Sequence, residues 1–392
     1  MNRFVIPGVL PLLAVLSSVP PANACAWDRD TLETEAKGVP DAIRVITGRF
    51  ERNPDLYYEM RRARATRQIE RTPNKLALYD DVGVACDRLH LGEEAILWME
   101  RKRIQIQKLR ATARPGVLHA HRYRLLANEG TFIAHRWLRN GANRKQISEI
   151  KRARDLIAAA IKINPNAHFG REKYQLKLME WIIKPHRISK EELPDFLGIY
   201  KIESAGSNTL SKLGYPDAVK GLSGLITLGD AWQSVDVFYA LAAALQSDNQ
   251  RTSVAYLAFL RCFELIGDGQ KSLISPASGK KLETQIINGD YEATNAYMGD
   301  SNKLQTDFKT LRAEAEEWHA QRIAYMMPRL QAGRHPDWDE TFWNEWQEPS
   351  APSLYAPTAR EQYTRYANIA AVMLGVLCVT FLALRFAKKR RR

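Results

Sequence analysis

The sequence predicts an all-α protein, built of stacked antiparallel helix pairs and followed by one C-terminal transmembrane helix. Three observations predict it. Apolar residues recur with 3.6-residue spacing through 25–335, punctuated by Asn-Pro, Gly and Asp, and no stretch sustains a period of two. Residues 1–24 have the layout of a secretory signal. Residues 366–386 form an apolar run followed by a wholly basic tail.

The signal segment has Arg3 as a short basic start, an apolar stretch over 4–19, and Ala22-Asn23-Ala24 as an A-x-A cleavage site. Cleavage leaves Cys25 at the mature N-terminus. Ala22 stands where a lipidated precursor has Leu, which favours an ordinary cut over lipidation. Asp30-x-x-Glu33 and Ser189-x-x-Glu192 have the form of capping boxes, and the first accounts for the cluster Asp28-Arg29-Asp30 without a metal. The helical body spans 25–335. Residues 336–365 hold an aromatic segment and a linker with Pro349, Pro352 and Pro357. As a helix, 366–386 is roughly 31 Å long, the thickness of a bilayer core. The basic tail 387–392 then lies in the cytoplasm, and the bulk of this single-pass chain lies outside the cell membrane.

Within the body an apolar pattern repeats. Residues 76–109 place Tyr79, Gly83, Cys86, Ala95 and Met99 so that small Gly83 and Ala95 sit where two antiparallel helices meet. Residues 123–166 place Gly130, Ala153 and Ala160 likewise, and close on Ile161-Lys162-Ile163-Asn164-Pro165. In this copy about eleven extra residues, around 137–147, separate the helices, and Glu129 replaces an apolar residue. A third copy, 236–269, has Tyr239, Ala243, Ala255 and Phe259, and a degenerate half-unit at Ala42, Ile46 and Asn53-Pro54 precedes them all. The spacing resembles the tetratricopeptide repeat, a 34-residue helix pair. That resemblance implies a TPR-like solenoid with a concave, partner-binding face. Residues 194–216 and 266–281 read as loops. Asp217 starts a helix, and a polar helix runs from Ser301 to Met327 and stops at Pro328.

The formal charge of +13 is unevenly spread: 41–190 carries 32 Lys/Arg against 16 Asp/Glu, and 191–365 carries 16 against 24. For an exported chain this argues against nucleic acid and for an acidic protein, an envelope polymer or anionic lipid. The basic half docking on the acidic half is a competing explanation. Four cysteines without a C-x-x-C indicate neither a zinc site nor a disulfide framework.

No enzyme is expected. Ser148-x-x-Lys151, Ser278-x-x-Lys281 and Ser247-Asp248-Asn249 match fragments of a penicillin-binding signature, but no K-T-G follows. His119 and His121, with His135 nearby, could suggest a metal, but two histidines two apart on a helix diverge by about 200° and do not easily share one ion. No cofactor or metal is expected. Trp338, Phe342 and Trp346 form a stripe expected to pack onto the body.

The function expected is a membrane-anchored, extracytoplasmic protein–protein interaction scaffold. Carried over by position, the resemblance implies a partner face made of Asp80, Asp87, Arg88, Arg124, Thr131 and His135. The alternative is an envelope-polymer or anionic-lipid binding module that uses 41–190. Arg103 is read as exposed, so its replacement by Ala should change stability by less than about 0.5 kcal/mol.

Overall fold

The computed structural model describes residues 41–165, 171–185, 191–199, 209–247, 252–291 and 301–350, and no strand occurs among them. The signal segment with Cys25, both capping boxes, Asp248-Asn249, the linker beyond 350, the run 366–386 and the tail lie outside the described residues. No described helix is long and apolar enough to cross a membrane. The chain divides into a unit of 1–346 and a unit of 347–392, of which only the non-helical 347–350 are described.

Helix α1 (Ala42–Thr47) starts where the Asp41 carboxylate accepts the Arg44 N–H at 3.0 Å, and it ends at Gly48, φ 88°. A Cβ at Gly48 would lie 2.7 Å from the Trp232 ring, so both backbone and packing require glycine there. Then follow α2 (Asp55–Arg71), α3 (Ala77–Arg88), α4 (Gly92–Lys108), α5 (Pro115–Arg139), α6 (Ile147–Ile163) and α7 (Arg171–Ile183). From α2 through α7 each helix packs on the next. Short α8 (Thr209–Lys212) and α9 (Ala218–Thr227) lead to the hairpin of α10 (Val235–Gln246) and α11 (Thr252–Gly267). Helix α9 bridges α7 and α10. Last come α12 (Lys280–Ile286), a π turn (Ile287–Tyr291), and the long α13 (Ser301–Gln331), which packs against α1, α2 and α11.

The three expected helix pairs are present as pairs, and their small residues sit at contacts. A Cβ on Gly83 would lie 2.7 Å from the Met99 side chain and 3.0 Å from Phe132; Ala95 is fully buried, and the Tyr79 and Trp98 rings meet edge-on at 6.1 Å. A Cβ on Gly130 would lie 3.0 Å from both the Ala153 carbonyl and Ile157. Ala160 packs with Tyr123 and Ala127, and Pro165 follows the end of α6. In the third pair the Tyr239 and Phe259 rings lie 6.0 Å apart, with Ala243 and Ala255 buried. Two cores result. One lies among α2, α3, α4 and α5; the larger one joins α5–α7 to α1 and α9–α12.

Four expectations need correction. The extra residues of the second copy lengthen α5 to 25 residues, and a short connection over 140–146 completes the insertion. The half-unit is no repeat: α1 packs on α9, α11 and α13, far along the chain. Residues 194–216 are not simply loop, because Phe196, Leu197 and Ile199 are buried and Leu193 donates its N–H to the Gln285 carbonyl at 3.1 Å. Helix α13 continues through Pro328 to Gln331, because buried Met326 and Leu330 pin its last turn against Tyr57 and Phe342. The aromatic stripe does pack onto the body, in turns and not as a helix. Phe342 is buried, Trp343 stacks on Tyr325 at 5.6 Å, and Trp338 stacks on His335 at 4.1 Å.

Candidate functional site

Between the stacked pairs and the segment 225–237 lies a recess of about 660 Å³. Helical spacing builds its floor: Leu178, Met179 and Ile182 share one face of α7, and Ile150, Leu225 and Val237 come from α6, α9 and α10. The rim is polar, with Arg52, Arg88, His90, His135, Arg139 and Asp230.

One network fixes the rim. Asp87, at the end of α3, receives His135 Nδ1 at 2.7 Å and an Arg139 N–H at 2.8 Å. Arg139 also reaches Asp230 at 3.0 Å. Arg88 lies 3.3 Å from Asp230 and donates to the Leu228 carbonyl at 2.6 Å. His135 Nε2 faces the Gly229 carbonyl at 3.0 Å, so both ring nitrogens meet oxygen atoms. His135 and Arg139 are four apart on α5 and therefore face the same way. Burial alone would raise the Asp87 carboxyl, but His135, with Arg139 and Arg88, outweighs it and holds it at about 2. Asp230, in the left-handed region at φ 61°, is likewise held low: burial opposes this, and Arg88, His135 and Arg139 prevail.

A second cluster surrounds Trp232. The Arg261, Arg52 and Arg312 guanidiniums lie 3.9, 5.2 and 5.3 Å from its ring centre. Glu264 receives Arg261 at 2.6 Å and Arg312 at 3.0 Å. Several cations of the basic half meet acids of the acidic half: Arg61 with Asp337 at 2.7 Å, Arg52 with Glu316 at 3.4 Å, and Arg88 and Arg139 with Asp230. Internal pairing therefore accounts for part of the charge asymmetry.

Of the six residues expected on the partner face, the structure gathers Asp87, Arg88 and His135 into this network, with Arg88 and His135 on the rim. Asp80 and Thr131 are corrections: they face the interior. Both Asp80 oxygens lie 2.6 Å from Lys102 Nζ, and Asn128 donates to one of them at 3.0 Å. Burial raises the Asp80 carboxyl and lowers the Lys102 amine. Thr131 donates to the Ala127 carbonyl at 2.8 Å and accepts from Gln175 at 3.0 Å. Arg124 is half-buried, its charge bearing on Asp80, Lys102 and His121. Arg103 is no inert surface group, since it pairs with Glu129, which is 2% exposed and also receives Arg152 at 2.8 Å. Sequence reasoning missed Arg139, Gln175, Asp230 and Trp232. Arg139 was findable from its i, i+4 relation to His135; the others come from elements whose approach no spacing encodes.

No group of three potential metal ligands occurs among the described residues. His119 is exposed, and burial, then Lys102 and Arg124, push His121 down to about 3. Burial pushes the Cys86 thiol up to about 12 and raises Cys262 as well, so both are unreactive at neutral pH. Compared with protein-family models, curated proteins and solved structures, the chain has no significant match in any of the three.

Proposed function

We propose that the chain is a membrane-anchored, extracytoplasmic interaction scaffold of tetratricopeptide-like helix pairs that seats a segment of a protein partner in the recess. The observation that carries this reading is the recess itself: about 660 Å³, aliphatic below, with a rim prefixed by the Asp87–His135–Arg139–Asp230 network. A prefixed rim lowers the ordering cost of binding. Because own-chain carboxylates already meet Arg88 and Arg139, apolar insertion holds the partner more than its charge does. The membrane anchor rests on the apolar run 366–386 and its basic tail.

The test is retention of a crosslinked or co-purified partner as salt rises from about 50 to 500 mM. Apolar insertion loses little affinity over that range, whereas binding by counterion release falls steeply. Retention in Ala134→Leu, which narrows the recess, would place the partner elsewhere. Topology is read separately. A reporter active only in the cytoplasm works when fused after Arg392 and fails after Pro349; the reverse overturns the anchoring.

A lipid-surface reading has one specific support. Leu97, Ile104 and Val117 are 49%, 44% and 50% exposed, and Arg101, Lys108, Arg110 and Arg114 are exposed on the same stretch of chain. Flotation with phosphatidylglycerol vesicles that is lost in Arg101→Glu/Lys108→Glu favours it.

A further inference from the structure

We propose that the inner part of the recess is a subsite for a neutral, apolar-bodied group carrying one hydrogen-bond donor, which it gives to Oε1 of Gln175. This rests on the recess being a binding site and adds the chemistry of what enters it.

Gln175 lines the recess from α7 and is only 8% exposed. The Thr131 contact orients its amide. The Thr131 hydroxyl spends its single hydrogen on the Ala127 carbonyl at 2.8 Å, so it can only accept, and Gln175 must offer it Nε2–H at 3.0 Å. With that hydrogen on the Ala127 carbonyl, a flipped amide would set Oε1 against the Thr131 oxygen. In this arrangement Oε1 is a buried acceptor, and no donor among the described residues reaches it. Buried acceptors of this kind are nearly always satisfied, and here the atom belongs to a residue of the cavity wall.

The surroundings narrow the ligand. Leu178, Met179 and Ile182 share the face of α7 that carries Gln175, and Ala134 and Ile150 line the same recess. His135 is tied to Asp87, and Arg139 to both Asp87 and Asp230. An anionic inner end would meet the acceptor Oε1, and a carbonyl would repel it; Lys271, also on the lining, is exposed. A phenol, an indole N–H or an alcohol on an apolar frame fits, and a volume of about 660 Å³ is that of ordinary small-ligand sites. The same chemistry comes from two sources: a Tyr or Trp side chain of the protein partner, or a free small molecule.

The isomers 4-ethylphenol and 4-methylanisole match in size and differ in having and lacking the donor. Their binding is measured by ligand-observed NMR on the full chain in lipid nanodiscs, with empty nanodiscs as the partition blank. The phenol-to-anisole affinity ratio should fall about tenfold from wild type to Gln175→Leu. If that variant does not fold, wild type alone must still prefer the phenol. Saturable binding of both isomers with an unchanged ratio overturns the donor claim and leaves the recess as a site. Binding of neither overturns both. Displacement of 4-ethylphenol by an acetylated, amidated Tyr tripeptide assigns the subsite to a partner side chain; no displacement assigns it to a free molecule.

Discussion

Replacing Asp87 with Asn keeps the shape of the rim and removes the charge that holds it. Asp87 is 1% exposed, and its carboxyl is held at about 2 against an ordinary value near 3.9. A depressed carboxylate stabilises the fold above the unfolded value, and that contribution is lost as pH falls through 3.9 toward 2. At about 1.4 kcal/mol per unit, the shift corresponds to roughly 2–3 kcal/mol at pH 7. Asn also turns an N–H toward His135 or Arg139, so the cost should reach about 3–5 kcal/mol, the range for breaking a buried ion pair. Urea unfolding of the full chain in detergent, followed by tryptophan fluorescence, measures it. The gap between wild type and Asp87→Asn should be largest near pH 6–7 and shrink below pH 4. A gap under about 0.5 kcal/mol, or one that widens in acid, refutes the reasoning.

Three further outcomes follow from the same structure. Gly221→Ala puts a Cβ 2.1 Å from the Tyr174 ring and should cost about 1–3 kcal/mol in a thermal melt; Gly116→Ala, with nothing within 4 Å, should be neutral or stabilising. Asp236 is raised by burial to about 6, so its proton stabilises the fold below pH 4 and that stability is lost as pH rises through 6. Asp236→Asn should therefore gain up to about 3 kcal/mol over wild type at pH 8 and nothing at pH 3.5, by urea titration. Arg103→Ala strips buried Glu129 of one of its two arginines and should cost about 1–3 kcal/mol, not the under 0.5 kcal/mol read from sequence; Arg103→Lys should restore part of it.

What the sequence disclosed follows the range of the forces involved. Helices and their pairing were legible because apolar spacing and small residues are local signals, as Gly83 against Met99 and Gly130 against Ile157 demonstrate. Polar residues inside the stack were not. Asp80 and Thr131 look solvent-facing by repeat position, and partners from other helices, Lys102 of α4 and Gln175 of α7, help to offset their burial. The half-unit at α1 failed for a related reason, since its apolar face is completed by helices about 180 residues or more downstream. Half of the expected partner face reached the rim network because the residues one turn apart on α5 and at the end of α3 meet there. Its partner Asp230 depends on a left-handed residue that no periodicity announces.

The most direct test of the recess as the partner site is a photo-crosslinking amino acid placed at Leu138, on its rim, and at Val117, outside it, in cells carrying the full chain. A discrete protein adduct from Leu138 that is absent from Val117 and lost in Ala134→Leu is the predicted result. A protein adduct from Val117 alone, or one from Leu138 that survives Ala134→Leu unchanged, would contradict it.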